Sequence, residues 1–568
     1  MEQVFVNRGF AKEDISHYLN LSILDVIDPA AIARIDDGVK MLIKHISAND
    51  KVFLTVDSDC DGYTSAAFLL NYLNRICPSF VQNNITYALH RGKQHGIIEE
   101  KIPEGTKLVI APDASSNEYD IHKRLNEQGI DVLIIDHHEA DKVSEYACVI
   151  NNQLCDYPTK SLSGVGMVYK FCCRIDHYLK QNIADDFIDL VAVGMVGDVM
   201  NLRDFETKYL IMKGCENVKN PHLKARVAAN EFVLKGSLTP FGIAFYVAPF
   251  INAVNRSGTD EEKLLVFESM LDFKAYEEIP STKRGCAGQM ETRVEQAIRT
   301  SNNIKNRQSK AEEFSSNIIE NLIEKNNLLN NAILIVPIPE DQTIDTNLTG
   351  LIANQMASKY QRPTLILNQR WKNNECIWEG SGRNFANSPL ENFRSFLIKT
   401  NLFEFVEGHE AAFGCCITDN NLQAAINLIN QILNDFDFSP KYLIDFEFDR
   451  NEPTILAHAI LDIGALKKHW GQGVEEPLIL IKNIVITPEN VRLMGKNQDT
   501  IRIDIPSNDD ISLIKFKITD DDKDYLLIEE GCVTINIIGT CDINTWNGAY
   551  PQVYIKDYEI INRSIFYF

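Results

Sequence analysis

Three aspartates separated by single residues, Asp57, Asp59 and Asp61 in VDSDCDGYTS, form the most demanding group of side chains in the sequence. Carboxylates held within a few ångströms repel one another unless a cation neutralises them, so a divalent metal is the natural reading. The bland alternative is a solvated acidic turn in which Gly62 ends a strand. Three further segments favour the metal: Asp113 closes KLVIAPD, Asp136, His137 and His138 close DVLIIDHH, and Asp198 ends DLVAVGMVGD. Carboxylate oxygens with one or two imidazoles suit Mn2+ or Mg2+ better than a thiolate-selected zinc site. A lone histidine beside a strand is more often a core or surface residue than a ligand, but two in succession behind an aspartate are hard to read as incidental.

Residues so far apart meet only if the elements beneath them converge. The first third alternates apolar runs (KVFLTVD, ITYAL, KLVIAPD, DVLIIDHH) with helical patterns near 63–76 and 117–128. Uninterrupted Val/Ile/Leu runs between helices are the signature of strands buried on both faces of a parallel sheet. In such a doubly wound α/β domain the carboxyl ends of the strands line one crevice, which is where these acids would collect. Residues 290–327 contain no Pro or Gly and are rich in Glu, Lys, Asn and Gln, which predicts one long polar helix linking two domains. A second α/β region begins at NAILIVPIP, with a helix near 351–360 and a strand at PTLILN. From about residue 441 short alternating strands such as PLILIKNIVIT and VTINIIG predict a small β-barrel. The expected segments are a catalytic domain at 1–285, a connecting helix at 286–330, a substrate-binding domain at 331–438 and a barrel at 439–568.

The 568 residues exceed what one hydrophobic core can serve, and no apolar run is long enough to span a bilayer, so no membrane partner is expected. The opening MEQVFVNRGFAKED shows no secretion signal, and thirteen cysteines without a C-x-x-C argue for a reducing cytoplasm. The net charge of −23 sits awkwardly with a nucleic-acid partner but does not exclude one. Binding depends on a local groove, and a carboxylate-rich metal site is acidic by sequence until its cations are bound.

IIDHHEA matches the motif that names the DHH phosphoesterases, and VDSDCDGYTSAA resembles their first motif. The similarity to the RecJ branch continues in order through NNQLCDYPTKSLSGVGMVYK, DLVAVGMVGDVMNL, APFINAVNRSG, GSGRN, EGHEAAFG, WGQGVEEPLIL and NTWNGAYPQVYIKDYEI. The chain thus resembles RecJ-like exonucleases, with a DHH parallel-sheet domain, a DHHA1-type second domain and an OB-like barrel. The resemblance implies two cations, Mn2+ or Mg2+, held by Asp57, Asp59, Asp61, Asp113, His137 and Asp198. It implies Asp136 behind them and His138 near the scissile phosphate. The implied activity is two-metal-ion hydrolysis of single-stranded DNA from the 5′ end to 5′-mononucleotides, in repair, recombination or replication. The implied catalytic set is Asp61, Asp136, His137 and His138.

By the same resemblance Ser381 and Arg383 hold a 5′-terminal phosphate with help from Arg91. Arg256 contacts the strand backbone, and His409 faces the catalytic cleft. Arg383 is expected between a strand and a helix, where backbone amides and a guanidinium could share a phosphate; its bland reading is a surface arginine in a Gly-rich turn. A terminal grip combined with a passage too narrow for a duplex would explain polarity and strand selectivity. Phe385, Trp378, Trp546 and Tyr550 are candidates for stacking on bases, although most aromatics are core residues. A single-strand-binding protein or a helicase is an expected partner. The departures from the family pattern are Cys60, Asn255, Glu407, DASSNEYD and the missing tryptophan-rich opening near 338–349; they suggest a divergent member from a mobile element or phage. Two rival readings share these features in part: a DHH phosphoesterase acting on RNA or cyclic dinucleotides, and an inactive replication scaffold.

Overall fold

The computed structural model describes residues 2–90, 94–286, 288–505, 510–545 and 548–564, apart from the side chains of 453 and 454. Contacts divide the chain into two units, one of residues 1–252, 264–298 and 442–568, the other of 253–263 and 299–441. Among the described residues no helix is long and apolar enough to cross a membrane.

In the first unit the early apolar runs become β1 (Lys51–Val56), β2 (Ile85–Leu89), β3 (Thr106–Pro112), β4 (Asp131–Asp136) and β5 (Cys148–Asn151). They form a sheet in the order β2-β1-β3-β4-β5, parallel throughout. Alternate residues serve opposite faces. Val109, Val132 and Ile134 cluster with Leu125 of the helix Tyr119–Glu127, while Leu133 and Ile150 meet Gly38 of Ile35–Ala48 close to Phe171 of Gly164–Leu179. Burial on both faces is why these strands read as unbroken hydrophobic runs instead of alternating ones.

A two-stranded ribbon, β6 (Glu278–Pro280) with β7 (Met290–Thr292), precedes the expected long helix, which spans Arg293–Lys325 over 33 residues. In the second unit β8 (Leu334–Ile338), β9 (Thr364–Lys372), β10 (Glu375–Arg383), β11 (Phe403–Gly408) and β12 (Ala412–Thr418) form a sheet in the order β11-β12-β10-β9-β8. One face carries Leu334, Val336 and Ile366 against Ile352 and Met356 of the helix Thr349–Tyr360. The other carries Ile335, Leu365 and Leu367 with Phe393, Ala425 and Ile429.

The last segment supplies β13 (Phe446–Asp449), β14 (Leu478–Ile486), β15 (Val491–Met494), β16 (Thr500–Ile505), β17 (Ile511–Phe516), β18 (Cys532–Asn544) and β19 (Tyr550–Ser564), ordered β13-β14-β18-β19-β17-β16-β15. Their inward Ile and Leu residues pack with Leu456, Ile460 and Ile463 of the helix Pro453–Gly464. This segment is fastened to the α/β part of its own unit. Leu202 N donates to the Gln472 carbonyl at 2.9 Å, and the Phe5 and Trp470 rings lie 5.2 Å apart.

Candidate active site

Because β1, β3 and β4 run parallel, Asp57, Asp113 and the Asp136–His138 triplet reach the same carboxyl edge of the sheet. Asp59 caps the helix Cys60–Ile76, its Oδ1 accepting from Gly62 N at 2.9 Å. Asp61, one turn in, accepts from Ser163 Oγ at 2.9 Å and from the amides of Gly164 and Val165 at 2.6 and 3.1 Å. Those amides open the helix Gly164–Leu179, so a helix N-terminus holds the carboxylate in place. Asp198 caps the C-terminal end of Ile188–Gly197 and completes the crevice from outside the sheet.

Three overlapping groups have donor atoms close enough to share an ion: Asp113 with Asp136, His137 and His138; Asp61 with His137 and Asp198; and Asp57 with Asp59 and Asp113. His137 links the first two. Its Nε2 is 3.2 Å from Asp113 Oδ1, 3.4 Å from Asp198 Oδ2 and 3.8 Å from Asp61 Oδ2. Asp136 accepts from His138 Nδ1 at 2.7 Å and from the amides of His137, His138 and Ser116 at 2.7, 3.2 and 3.1 Å, so it anchors both imidazoles.

Electrostatics separate the acids. Burial and then the neighbouring carboxylates push Asp113 well above the usual range, Asp198 to about 8 and Asp59 to about 6. Burial would also raise Asp136, but His138 outweighs it and holds that carboxyl low, while His138 itself rises to about 9 through its bond to Asp136. Burial lowers His137, which keeps the ring neutral and able to act as a ligand. Buried Asp113 Oδ1 has no hydrogen-bond partner, and buried unsatisfied oxygens are rare unless an ion or water serves them. A Cβ on Gly164 would come within 2.3 Å of that oxygen, so glycine is required for the helix to approach. Asp113 and Val199 take positive φ of 63° and 58°, backbone strain of the kind that collects at functional sites. The donor set fits hard divalent cations.

Within the second unit, a Cβ on Gly350 would lie 2.6 Å from Arg383 Nη2 and 3.7 Å from Ser381 Oγ. Both side chains therefore stand over the first turn of the helix Thr349–Tyr360. Ser381 Oγ pairs with Thr349 Oγ1 at 2.9 Å. Burial and then the charge of Arg256 lower Arg383, which puts two guanidiniums in one neighbourhood. A helix N-terminus, two hydroxyls and two guanidiniums make an anion site.

Some expectations change. Arg383 ends the central strand β10, paired on both sides, so it is not in a Gly-rich turn, and the backbone amides of GSGR are engaged in the sheet instead of cradling a phosphate. Trp378 is buried, donating to Asp419 Oδ1 at 2.9 Å, and Phe385 packs towards Phe438, so neither offers a face to a base. Tyr550 remains partly exposed on β19, and His409 is exposed in the turn between β11 and β12. Arg91 and Trp546 lie outside the described residues. The sequence reading assigned no role to Ser163, Gly164, His90 or His95. SLSGVG and HRGKQHG had drawn notice, but nothing in their spacing says that they meet Asp61 and Asp57.

The DHH family, N-terminal domain, matches residues 51–195, and the RecJ OB domain matches residues 454–557. The SPbeta prophage-derived single-strand DNA-specific exonuclease YorK of Bacillus subtilis (strain 168) is 36% identical over 566 residues, covering 98% of this chain and 95% of the relative. The single-stranded-DNA-specific exonuclease RecJ of the same organism is 23% identical over 585 residues, covering 99% and 68%. The crystal structure of RecJ in complex with Mn2+ from Thermus thermophilus shares the fold, with a TM-score of 0.68 at 17% identity over 98% of this chain and 75% of that one. The chain belongs to the RecJ family of DHH-domain single-strand-DNA-specific exonucleases.

Proposed function

We propose that the protein is a 5′ to 3′ exonuclease that hydrolyses single-stranded DNA to 5′-mononucleotides with two divalent cations, Mn2+ or Mg2+. The observation that carries this reading is the convergence of Asp61, Asp113 and Asp198 on His137 Nε2 within 3.8 Å, with Asp113 Oδ1 left unpartnered. The residues that would hold the ions are Asp57, Asp59, Asp61, Asp113, His137 and Asp198. Bound there, the cations lower the pKa of a water nucleophile and neutralise charge on the phosphate.

The chain's own groups do the rest. Asp136 fixes the tautomer and direction of His138, whose charged ring can face a phosphate oxygen or the leaving group. Ser381, Arg383 and Arg256 take the 5′-terminal phosphate, with Arg91 as a further candidate. A strand held by that end and cut at the metals shortens from it. The single-strand-DNA specificity in the names of the relatives supports the substrate class. The boundaries 1–285, 286–330, 331–438 and 439–568 serve as catalysis, connection, end-binding and strand-binding. The cytoplasm is the compartment, where a single-strand-binding protein or helicase would supply the substrate in repair, recombination or replication.

End-labelled oligonucleotides, single- and double-stranded, with 5′-phosphate or 5′-hydroxyl, incubated in Mn2+ or in EDTA, test this. Release of 5′-mononucleotides from phosphorylated single strands in Mn2+ alone is expected. Equal cutting of 5′- and 3′-blocked strands would defeat the polarity; preference for RNA or cyclic dinucleotides would defeat the substrate. Intact activity in both Asp136→Ala and His137→Ala would defeat the mechanism.

A further inference from the structure

His90 was not among the metal ligands considered above. It follows β2 directly, and the β1–β2 register pairs Val56 with Leu89, so the next step along both strands sets His90 beside Asp57 at the carboxyl edge. The ring is wholly buried, its side chain 0% exposed. Its Nε2 lies 2.7 Å from the Gly96 carbonyl, an oxygen that can only accept, so the proton of the neutral ring belongs on Nε2. Nδ1 then presents a lone pair, and it points at Asp57 Oδ1 3.0 Å away without forming a hydrogen bond.

A lone pair facing a buried carboxylate oxygen at that distance is repulsive, and the other side of Asp57 is already engaged, since Oδ2 meets Nδ1 of the exposed His95 at 3.1 Å. Two donors at right angles around an ion with bonds of roughly 2.1 Å stand roughly 3.0 Å apart. The separation of His90 Nδ1 from Asp57 Oδ1 is that of neighbouring ligands sharing a cation. Asp57 in turn belongs with Asp59 and Asp113, whose donor atoms gather within reach of one ion, and Asp113 Oδ1 is also without a partner.

We infer that His90 Nδ1 is a nitrogen ligand of the cation held by Asp57, Asp59 and Asp113. The inference rests on the two-cation reading and adds to it. Each ion then has its own imidazole, His137 for one and His90 for the other, and each ring is neutral. The hydrogen bond from Nε2 to the Gly96 carbonyl fixes the His90 tautomer, the role that outer partners play for histidine ligands in general. A site of three carboxylates and one imidazole selects against Mg2+, which favours oxygen, and towards Mn2+.

The test is a crystal of the full chain soaked in MnCl2, with anomalous scattering used to locate the ions, and a calorimetric titration of Mn2+ into wild type and His90→Gln. We expect an Mn2+ peak within about 2.3 Å of His90 Nδ1, a second peak beside His137, and at least tenfold weaker binding of one Mn2+ in His90→Gln. Thermal melting in EDTA checks that the variant folds; if it does not, the wild-type anomalous map decides alone. Peaks beside Asp113, His137 and Asp198 with His90 Nδ1 beyond bonding distance would overturn the His90 assignment while leaving the two-cation reading intact. That holds even if His90→Gln weakens binding, since His90 would then be a positioning residue. Absence of any peak in the crevice would overturn both.

Discussion

The metal crevice of the first unit and the anion site of the second are opposites built on one plan. In the crevice Asp57, Asp59, Asp61, Asp113 and Asp198 are crowded until Asp113 and Asp198 rise far above ordinary carboxyls. In the second unit Arg383 is buried beside the charge of Arg256 and its guanidinium is pushed down. Each region gathers one sign of charge and leaves it uncompensated by protein. The missing countercharge is the ligand, cations in one case and a phosphate in the other. Structural ion pairs behave differently: where Arg174 meets Asp36, the carboxyl falls and the guanidinium rises, and each partner satisfies the other.

The comparison breaks most visibly at Asp136, the acceptor of four hydrogen bonds that orient His137 and His138. Asp136→Ala should lower kcat/KM on 5′-phosphorylated single-stranded DNA by about 1000-fold, ~4 kcal/mol. An effect below tenfold would show that the imidazoles need no anchor. Next comes Arg383→Ala. It should cut the preference for a 5′-phosphate over a 5′-hydroxyl by about 100-fold, ~3 kcal/mol, while calorimetry finds Mn2+ affinity unchanged. A parallel fall in metal affinity would mean that the two sites are not separable. Arg383→Lys should recover little, because an ammonium cannot replace the planar fork.

Cation binding should stabilise the first unit selectively. Mn2+ at 100 times its Kd adds about 2.7 kcal/mol to a folded state that alone binds it. Hydrogen exchange should show the added protection in β1, β3 and β4 and not in β8–β12; equal protection in both sheets would contradict the division.

The smallest expected effect is acid lability. Burial lowers His122 to about 4 and His222 and His469 to about 3, all in the first unit, whereas the one histidine of the second unit is the exposed His409. A histidine whose folded pKa is depressed stays neutral while the unfolded chain takes the proton. Its contribution is therefore full above pH 6.5 and lost as pH falls towards 3 to 4, by about 1.4 kcal/mol per pH unit for each proton. Amide protection in the Mn2+-loaded protein should fail in the first unit before the second between pH 6.5 and 4. His222→Asn, whose amide can still meet Ser269 Oγ in place of the Nδ1 contact at 2.8 Å, should flatten part of that limb. A chain that loses both units together at the same pH would remove the contrast.

The sequence by itself determined the strands, the long helix and the identity of the acids, because buried parallel strands announce themselves as apolar runs and DHH as a local string. Arg383 was legible as a candidate but its setting was not. Strand pairing decides whether GSGR is a turn or the centre of a sheet, and pairing depends on β9 and β12, which the local string does not contain. Trp378 and Phe385 went astray for the same reason, since composition cannot say which face of a strand is covered. Only the tertiary structure could bring Ser163 and Gly164 to Asp61, or His90 to Asp57. The first contact needs a helix N-terminus delivered from a hundred residues away, the second the register of two neighbouring parallel strands, and both are properties of packing, not of spacing along the chain.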